Sequence, residues 1–318
     1  MKEHRYGHFR FLALENEFFP GAEESRFLFN RKLYLQIHTI TAFSQFIILN
    51  EKLNSLEGTI LFERYENSAV SLRRATFGSL ELRTKINYEI LYEFFSFIRD
   101  YFRDTATKSV VIRHYPDFYD PLNGPVIALT LSHAGFRVTV HDINHHLPVN
   151  ENIFSAGINK MERRKLKKCI DTGLQVKSVA NQEIIEIYRE MTNFRNKAKI
   201  PSSIGDHELA DSFKILPDNY SLHYVTNDRN DILAGAILVK VTDTILYYFT
   251  PATNPAYSKI SPMVFLLDSL YGFAKENGCL ALDLGISSIG NRPQKGLIRF
   301  KDHIGGITSS RFTFQLDL

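Results

Sequence analysis

The spacing of apolar and polar positions changes in a readable order along the second half of the chain. β-branched and aromatic residues crowd positions 220–226, 232–241 and 244–250, with turn residues at 227–231 and 242–243 between them, which predicts a run of hairpin-linked strands. An irregular segment, TPATNPAYSKI, follows. Ser261 and Pro262 then read as N-cap and first-turn proline of a helix. Met263, Leu266, Leu267, Leu270 and Ala274 recur in it at helical spacing, and Asn277-Gly278 closes it. Residues 279–284 read as a short buried strand, 293–303 as one or two helical turns, and 307–316 as a final strand.

The first half repeats that order. Residues 58–64 and 69–74 read as strands, followed by the loop ATFGSLELRTKI. A helix over about 87–102 carries Ile90, Phe94, Phe97 and Tyr101 on one face. A strand at 110–113, a helix at 121–133 and a strand at 136–145 complete the set, and Gly135 and Gly305 each precede the last strand of their half. Self-similarity at this length predicts two copies of one supersecondary plan. Strands that pair as hairpins and then switch to helical crossovers require a mixed sheet. The expected fold is therefore α/β (α+β), with two tandem domains, 1–150 and 151–318, divided near Pro148 and each a mixed sheet flanked by helices. At 318 residues the chain also exceeds the roughly 150 residues of a usual domain.

After the junction, Ser155 is expected to cap a helix reading SAGINKMERRKLKKCIDTG and ending at Gly173. Ile158, Met161, Leu166, Cys169 and Ile170 supply its apolar face, while Lys160, Arg163, Arg164, Lys165, Lys167 and Lys168 crowd the rest. Such a face is most often simply solvated, and the net charge of +3 sets up no field that would make nucleic acid the default partner. Two cysteines, Cys169 and Cys279, are too few for a metal cluster or disulfide framework, and their scarcity suits a cytoplasmic location. The longest apolar stretch, around residues 94–102, is broken by Arg99 and Asp100, so no membrane span is expected. His-Glu-x-x-His, Cys-x-x-Cys, P-loop and Gly-x-Ser-x-Gly patterns are all missing, which disfavours metal, ATP and acyl-serine chemistry.

A strand feeding an irregular loop and then the helix at Ser261 leaves backbone N–H groups at the sheet's end, suited to an anion, with Lys259 nearby. The ending LALDLGISSIGNRPQKGLIRFKDHIGG resembles that of the FemAB family within the GNAT (acyl-CoA N-acyltransferase) superfamily. In that ending an acidic residue follows a short strand and a Gly-Leu leads into Phe-Lys; here these are Asp283, Gly296-Leu297 and Phe300-Lys301. The basic helix INKMERRKLKKCIDTGLQV is similar to that family's arginine-rich helix, and ATFGSLEL to a Phe-Gly loop of its first domain. The resemblance covers about 160 residues, from Phe154 onward.

It implies two GNAT-like domains and transfer of an acyl or aminoacyl group to an amine of a small molecule or cell-envelope precursor. Lys301 would face the reacting carbonyl and stabilise its oxyanion. The donor would lie against Tyr248, Lys259, Ser261, Asp283 and Phe300, and the acceptor across the junction near Arg74, Phe77, Gly78 and His145. One of the adjacent His145 and His146, which point to opposite faces of a strand, could act as base. The sequence departs from the pattern where the glycine-rich pyrophosphate loop of coenzyme A-dependent GNAT enzymes should stand; NPAYSKISP holds its place. Acyl-CoA and aminoacyl-tRNA thus both remain open as donor. A non-catalytic double-domain binder of a saccharide or RNA is the alternative.

Overall fold

In the computed structural model residues 2–179, 183–201 and 204–318 are described. Their contacts divide into two units, 1–143 with 288–292 and 309–318, and 144–287 with 293–308. Among the described residues no helix is long and apolar enough to cross a membrane.

The first unit is built on strands in the order Lys2–Tyr6, Phe9–Glu15, Phe43–Asn50, Ser55–Tyr65, Ser68–Val70, Ser109–Arg113 and Ile307–Asp317. The first five neighbour one another antiparallel; Ser68–Val70 and Ser109–Arg113 run parallel. The helix Tyr88–Arg103 is capped by Asn87, whose side chain accepts from the Ile90 N–H, and it buries Ile90, Leu91, Phe94, Phe95, Phe97, Ile98 and Phe102. That face carries the predicted period, with Tyr101 at its margin. Phe94 meets Phe11 and Phe102 meets Phe46 and Phe62 edge-on or tilted. Each such buried ring contributes about 1.5–3 kcal/mol. The predicted strand at 69–74 ends at Val70, because Ser71 onward turns into a loop tied down by other groups.

The end of the chain completes this first unit. Thr313 pairs with Arg113 and Leu316 with Val110 in an antiparallel ladder, so the final strand lies with residues about 200 positions upstream.

In the second unit, residues 144–148 of the strand Arg137–Pro148 pair antiparallel with Ala281–Ile286, with Leu147 opposite Leu282. Ala281–Ile286 runs parallel to Ile245–Thr253, and beyond that come Ile232–Thr242, Tyr220–Thr226 and Gln175–Val179, all antiparallel. The helix Pro262–Glu276 buries Val264, Leu266, Leu267, Leu270 and Ala274 against this sheet. The basic segment forms two helices, Phe154–Gly157 and Lys160–Asp171, where one was expected from Ser155. Asn159 caps the longer one by accepting from the Glu162 N–H. Its buried face is Glu162, Leu166 and Cys169, while Met161 and Ile170 are exposed.

The repeat read from the sequence has a structural counterpart at two glycines. Gly135 and Gly305 adopt φ of +98° and +84° just past a helix end. The Phe136 N–H bonds to the Leu131 carbonyl and the Gly306 N–H to the Lys301 carbonyl, closing both helices by the same left-handed turn.

Gly78 is required for a different reason. A Cβ there would lie 2.5 Å from the Ser71 carbonyl oxygen and 2.8 Å from its carbon. Gly78→Ala should therefore lower the stability of the first unit by about 1–3 kcal/mol, read as a shift in its urea midpoint. An unchanged midpoint would mean that the loop yields freely.

Candidate active site

The parallel pair in the second unit is short. Ile245, Leu246 and Tyr247 face Ala281, Leu282 and Asp283. Beyond that point each strand keeps a neighbour only on its outer side. Phe249 pairs with Ile237 and Thr253 with Ala234, while Gly285 pairs with His145 and Ile286 with Asn144. The register shifts between Asp283 and Gly285 on one strand, and the other shifts against its outer neighbour at Gly235/Ile237, opposite Ala252 and Phe249. The result is an opening at the carboxyl ends of two parallel strands, the usual place for a ligand in such sheets. The first unit lacks this opening. Past Ser68–Val70 the loop stays bound to the neighbouring strand: the Ser71 N–H donates to the Val111 carbonyl at 2.8 Å, the Arg113 N–H to Ser71 Oγ at 2.8 Å, and the Gly78 N–H to the Arg113 carbonyl at 3.0 Å.

At the opening in the second unit stands Lys301, in the last turn of the helix Lys295–His303. Its Nζ donates to the carbonyls of Gly285 at 2.7 Å and Ile286 at 3.0 Å, and the residue is only 4% exposed. Burial lowers its pKa to about 7, against the opposing pull of the Asp283 charge. Asp283 is 1% exposed, and its Oδ1 accepts from Asn144 Nδ2 at 2.7 Å and from the Gly285 N–H at 2.8 Å. Gly285 itself sits at φ +73°.

His145 completes the cluster. Its ring is wholly buried, with Nδ1 2.9 Å from Ser287 Oγ and Nε2 3.3 Å from a carboxylate oxygen of Asp302. The Asp302 contact is close enough for charge but is not aligned as a hydrogen bond, and Nε2 has no other partner among the described residues. Burial, then the nearby Lys301 charge, lowers the pKa of His145, with Asp302 pulling the other way. The lowered pKa favours the neutral imidazole. His146, on the opposite face, has its pKa lowered to about 4 by burial and by His145.

Of the residues singled out from sequence, the structure brings Lys301, His145 and Asp283 together. Phe300 packs on the hydrophobic core beside them. Tyr248 is buried, with its hydroxyl against Met263 Sδ and its pKa driven up by burial, so it is a core residue and not a surface for a donor. Lys259 is exposed on the short helix Pro255–Ile260. Ser261 occupies the N-cap position but at φ 60°, ψ 50° and without a side-chain capping bond, so its hydroxyl does not cap the helix as expected. Pro262 follows at the first turn, where no acidic residue lies. In the first unit Phe77 is 1% exposed among Phe27, Phe29, Tyr115 and Tyr119. It fills the core, Gly78 lets the loop close on Ser71, and Arg74 is exposed with its carbonyl accepting from the Tyr34 hydroxyl. Asn144, Gly285, Ser287 and Asp302 were missed from sequence. The available signal was the polar run of residues 142–146 inside an otherwise strand-like segment. Among the described residues no cluster of three or more His, Cys, Asp or Glu side chains is arranged to hold a metal ion.

Residues 160–299 match the family model of an acetyltransferase (GNAT) domain. No curated protein matches the chain in sequence. Among solved structures, FemX is similar over 92% of both chains at 12% identity, with a TM-score of 0.69. A tandem GNAT protein from the clavulanic acid biosynthesis pathway matches over 87% of this chain and 83% of its own, at 8% identity and a TM-score of 0.55. The C-terminal domain of a provisionally named lysylphosphatidylglycerol synthetase from Agrobacterium fabrum matches over 85% of this chain and 83% of its own, at 14% identity and a TM-score of 0.55. Residues 160–299 therefore match a GNAT-type acetyltransferase domain, and most of the chain has a fold similar to those of FemX and of a tandem GNAT protein.

Proposed function

We propose that this protein transfers an acyl or aminoacyl group from an activated donor to an amine, and that the amine belongs to a small molecule or cell-envelope precursor. The observation that carries the reading is the buried Lys301 at the mouth of the parted strands. A cation held on two carbonyls in a site with little water is placed to stabilise negative charge on a carbonyl oxygen under attack. The acceptor nitrogen forms its bond to the donor carbonyl carbon, the oxygen becomes an oxyanion beside Lys301, and the leaving group departs as the carbonyl re-forms. His145, neutral and braced by Ser287 and Asp302, takes the proton that the nitrogen loses. Likeness to FemX and to the lysylphosphatidylglycerol synthetase domain supports an envelope-related acceptor.

The donor's phosphates are assigned to the N-terminus of the helix Pro262–Glu276, where first-turn N–H groups meet no acidic side chain and Lys259 is exposed. Acyl-CoA is one candidate donor. Aminoacyl-tRNA is the other, and the exposed Lys160, Arg164, Lys167 and Lys168, spaced along one side of their helix, favour it through phosphate contacts.

The discriminating experiment is melting with saturating acetyl-CoA, longer acyl-CoAs or aminoacyl-tRNA, followed by turnover with an amine acceptor. A ligand at about 100 times its Kd adds roughly 2.7 kcal/mol to stability, a shift of several degrees. A shift with turnover identifies the donor. Binding of RNA that weakens steeply with salt, with no turnover, would instead make this a binding protein.

A further inference from the structure

Asp283 has the position that the family-like ending gives to its acidic residue, directly after the buried strand, and the sequence suggested that it meets the donor. Its surroundings point elsewhere. The carboxylate is 1% exposed, and its Oδ1 is occupied by two donors, Asn144 Nδ2 at 2.7 Å from the adjacent strand and the Gly285 N–H at 2.8 Å from its own. The second of these bonds spans only two residues. It holds the register shift between Asp283 and Gly285 and the left-handed backbone of Gly285, φ +73°. A side chain at Gly285 would also press on the Tyr247 ring, with its Cβ 3.2 Å from Cε2. From this turn the carbonyls of Gly285 and Ile286 both reach Lys301 Nζ.

We propose that Asp283 is a positioning residue: its carboxylate shapes the turn whose two carbonyls seat Lys301, and supplies the negative charge that keeps that buried amine cationic for acyl transfer. The proposal rests on the reading of Lys301 as the oxyanion-stabilising cation. Two separate burdens meet in this one side chain. Two carbonyl dipoles orient an ammonium group but carry no net charge, and an amine in a nearly dry site tends to release its proton. A carboxylate behind the turn offsets that tendency without occupying the space where a substrate oxygen would sit.

The other groups around Lys301 do not replace it. On the strand Arg137–Pro148, His145 is buried, and a charge there would oppose the lysine; His146 stands opposite Asp283 in the strand register, and burial and His145 lower its pKa to about 4. On the lysine's own helix, Asp302 lies against His145, Arg299 is exposed, and His303 is part-buried. On the strand Ile245–Thr253, Tyr247 meets the turn with the edge of its ring. Burial lowers the Lys301 pKa, and the Asp283 charge raises it.

The test uses Asp283→Asn, which keeps the side chain's shape and removes its charge. Lysine Cε resonances, with Lys301 assigned by its absence from Lys301→Met, report ionisation of this amine in the folded protein without any substrate. In the unaltered protein Lys301 should titrate near pH 7, and in Asp283→Asn at lower pH. In the transfer reaction the alkaline limb of kcat should move to lower pH by the same interval. Turnover at neutral pH should fall about tenfold or more, the effect of losing one nearby opposite charge, with KM for the donor unchanged. A purely structural Asp283 would lower kcat at every pH and leave the limb in place. Titration of Lys301 at the same pH in both proteins overturns the proposal. If no donor supports turnover but the lysine titration still moves, the transferase reading fails while the positioning role stands. Should Asp283→Asn not fold, the carboxyl carbon of Asp283 in the unaltered protein answers instead. It should show an inflection at the pH where Lys301 titrates, and a flat response there overturns the proposal.

Discussion

Lys301→Met should reduce turnover by about 10²–10³-fold, the usual cost of removing one oxyanion-stabilising group, with little change in the KM for the donor. Methionine approximates the length of the lysine stem, so the helix Lys295–His303 and its closing turn at Gly305 have no reason to move. The split between kcat and KM is the informative part. The amine interacts with charge that exists only in the transition state, so its loss should not weaken ground-state binding. Full turnover in the variant would remove Lys301 from the chemistry.

The same substitution has a signature in stability. Burial brings the amine's pKa to about 7 in the folded chain, against 10.5 for an ordinary lysine. Between those values the unfolded chain holds a proton that the folded one has released, so this group's contribution grows more favourable as pH rises through that window. The gain is on the order of a few kcal/mol in total. Below the folded value both states carry the proton and the cost of burying the charge is felt in full. In Lys301→Met this part of the pH dependence should vanish, leaving a flatter stability profile between neutral and alkaline pH.

Acid should unfold the protein through two buried histidines that are not among the site residues. His114 is fully buried, with Nδ1 2.7 Å from Ser79 Oγ and Nε2 3.1 Å from the Gly124 carbonyl. The neutral ring satisfies both contacts by accepting from the serine and donating to the carbonyl. Burial lowers its pKa to about 4 from 6.5, outweighing the pull of Gly124 and Asp120. His223, 5% exposed and edge-on to Phe273, is likewise lowered to about 4 by burial. In both cases the unfolded chain gains a proton first as pH falls. Their contribution is intact above about 6.5 and is lost toward 4, reaching about 3 kcal/mol for each group. His114 belongs to the first unit and His223 to the second, so both unfolding transitions should be acid-sensitive. His223→Phe should shrink the loss in urea midpoint between neutral pH and about pH 4.5 for the second unit alone. An equal loss in variant and unaltered protein would refute the assignment.

What could be read from the sequence was what local chemistry decides. The helix at Tyr88–Arg103 was legible because its apolar residues keep a 3.6-residue period. The meander from Tyr220 was legible because turn residues separate β-branched runs. Resemblance to a family ending, and not local chemistry, drew attention to Lys301, while a glycine before the last strand of each half marked the repeated helix end. Residues 2–50 offered no comparable period, and their three strands emerge only because Phe11 and Phe46 bury their rings under the helix Tyr88–Arg103 and its partners. Phe77 and Tyr248, singled out from the sequence as ligand contacts, stand buried among core side chains, since a buried aromatic and a substrate-facing one look alike until packing assigns their neighbours. Ser261 kept its place at the helix start but not its capping bond, because its backbone turned left-handed. The final strand joined the first unit through pairing with Ser109–Arg113, a long-range choice that local periodicity does not encode. The setting of the active site was likewise a tertiary matter. Asn144, Asp283, Ser287 and Asp302 are ordinary polar residues in the sequence; strand register and the turn at Gly285 make them neighbours, and exclusion of water around Lys301 gives their charges weight.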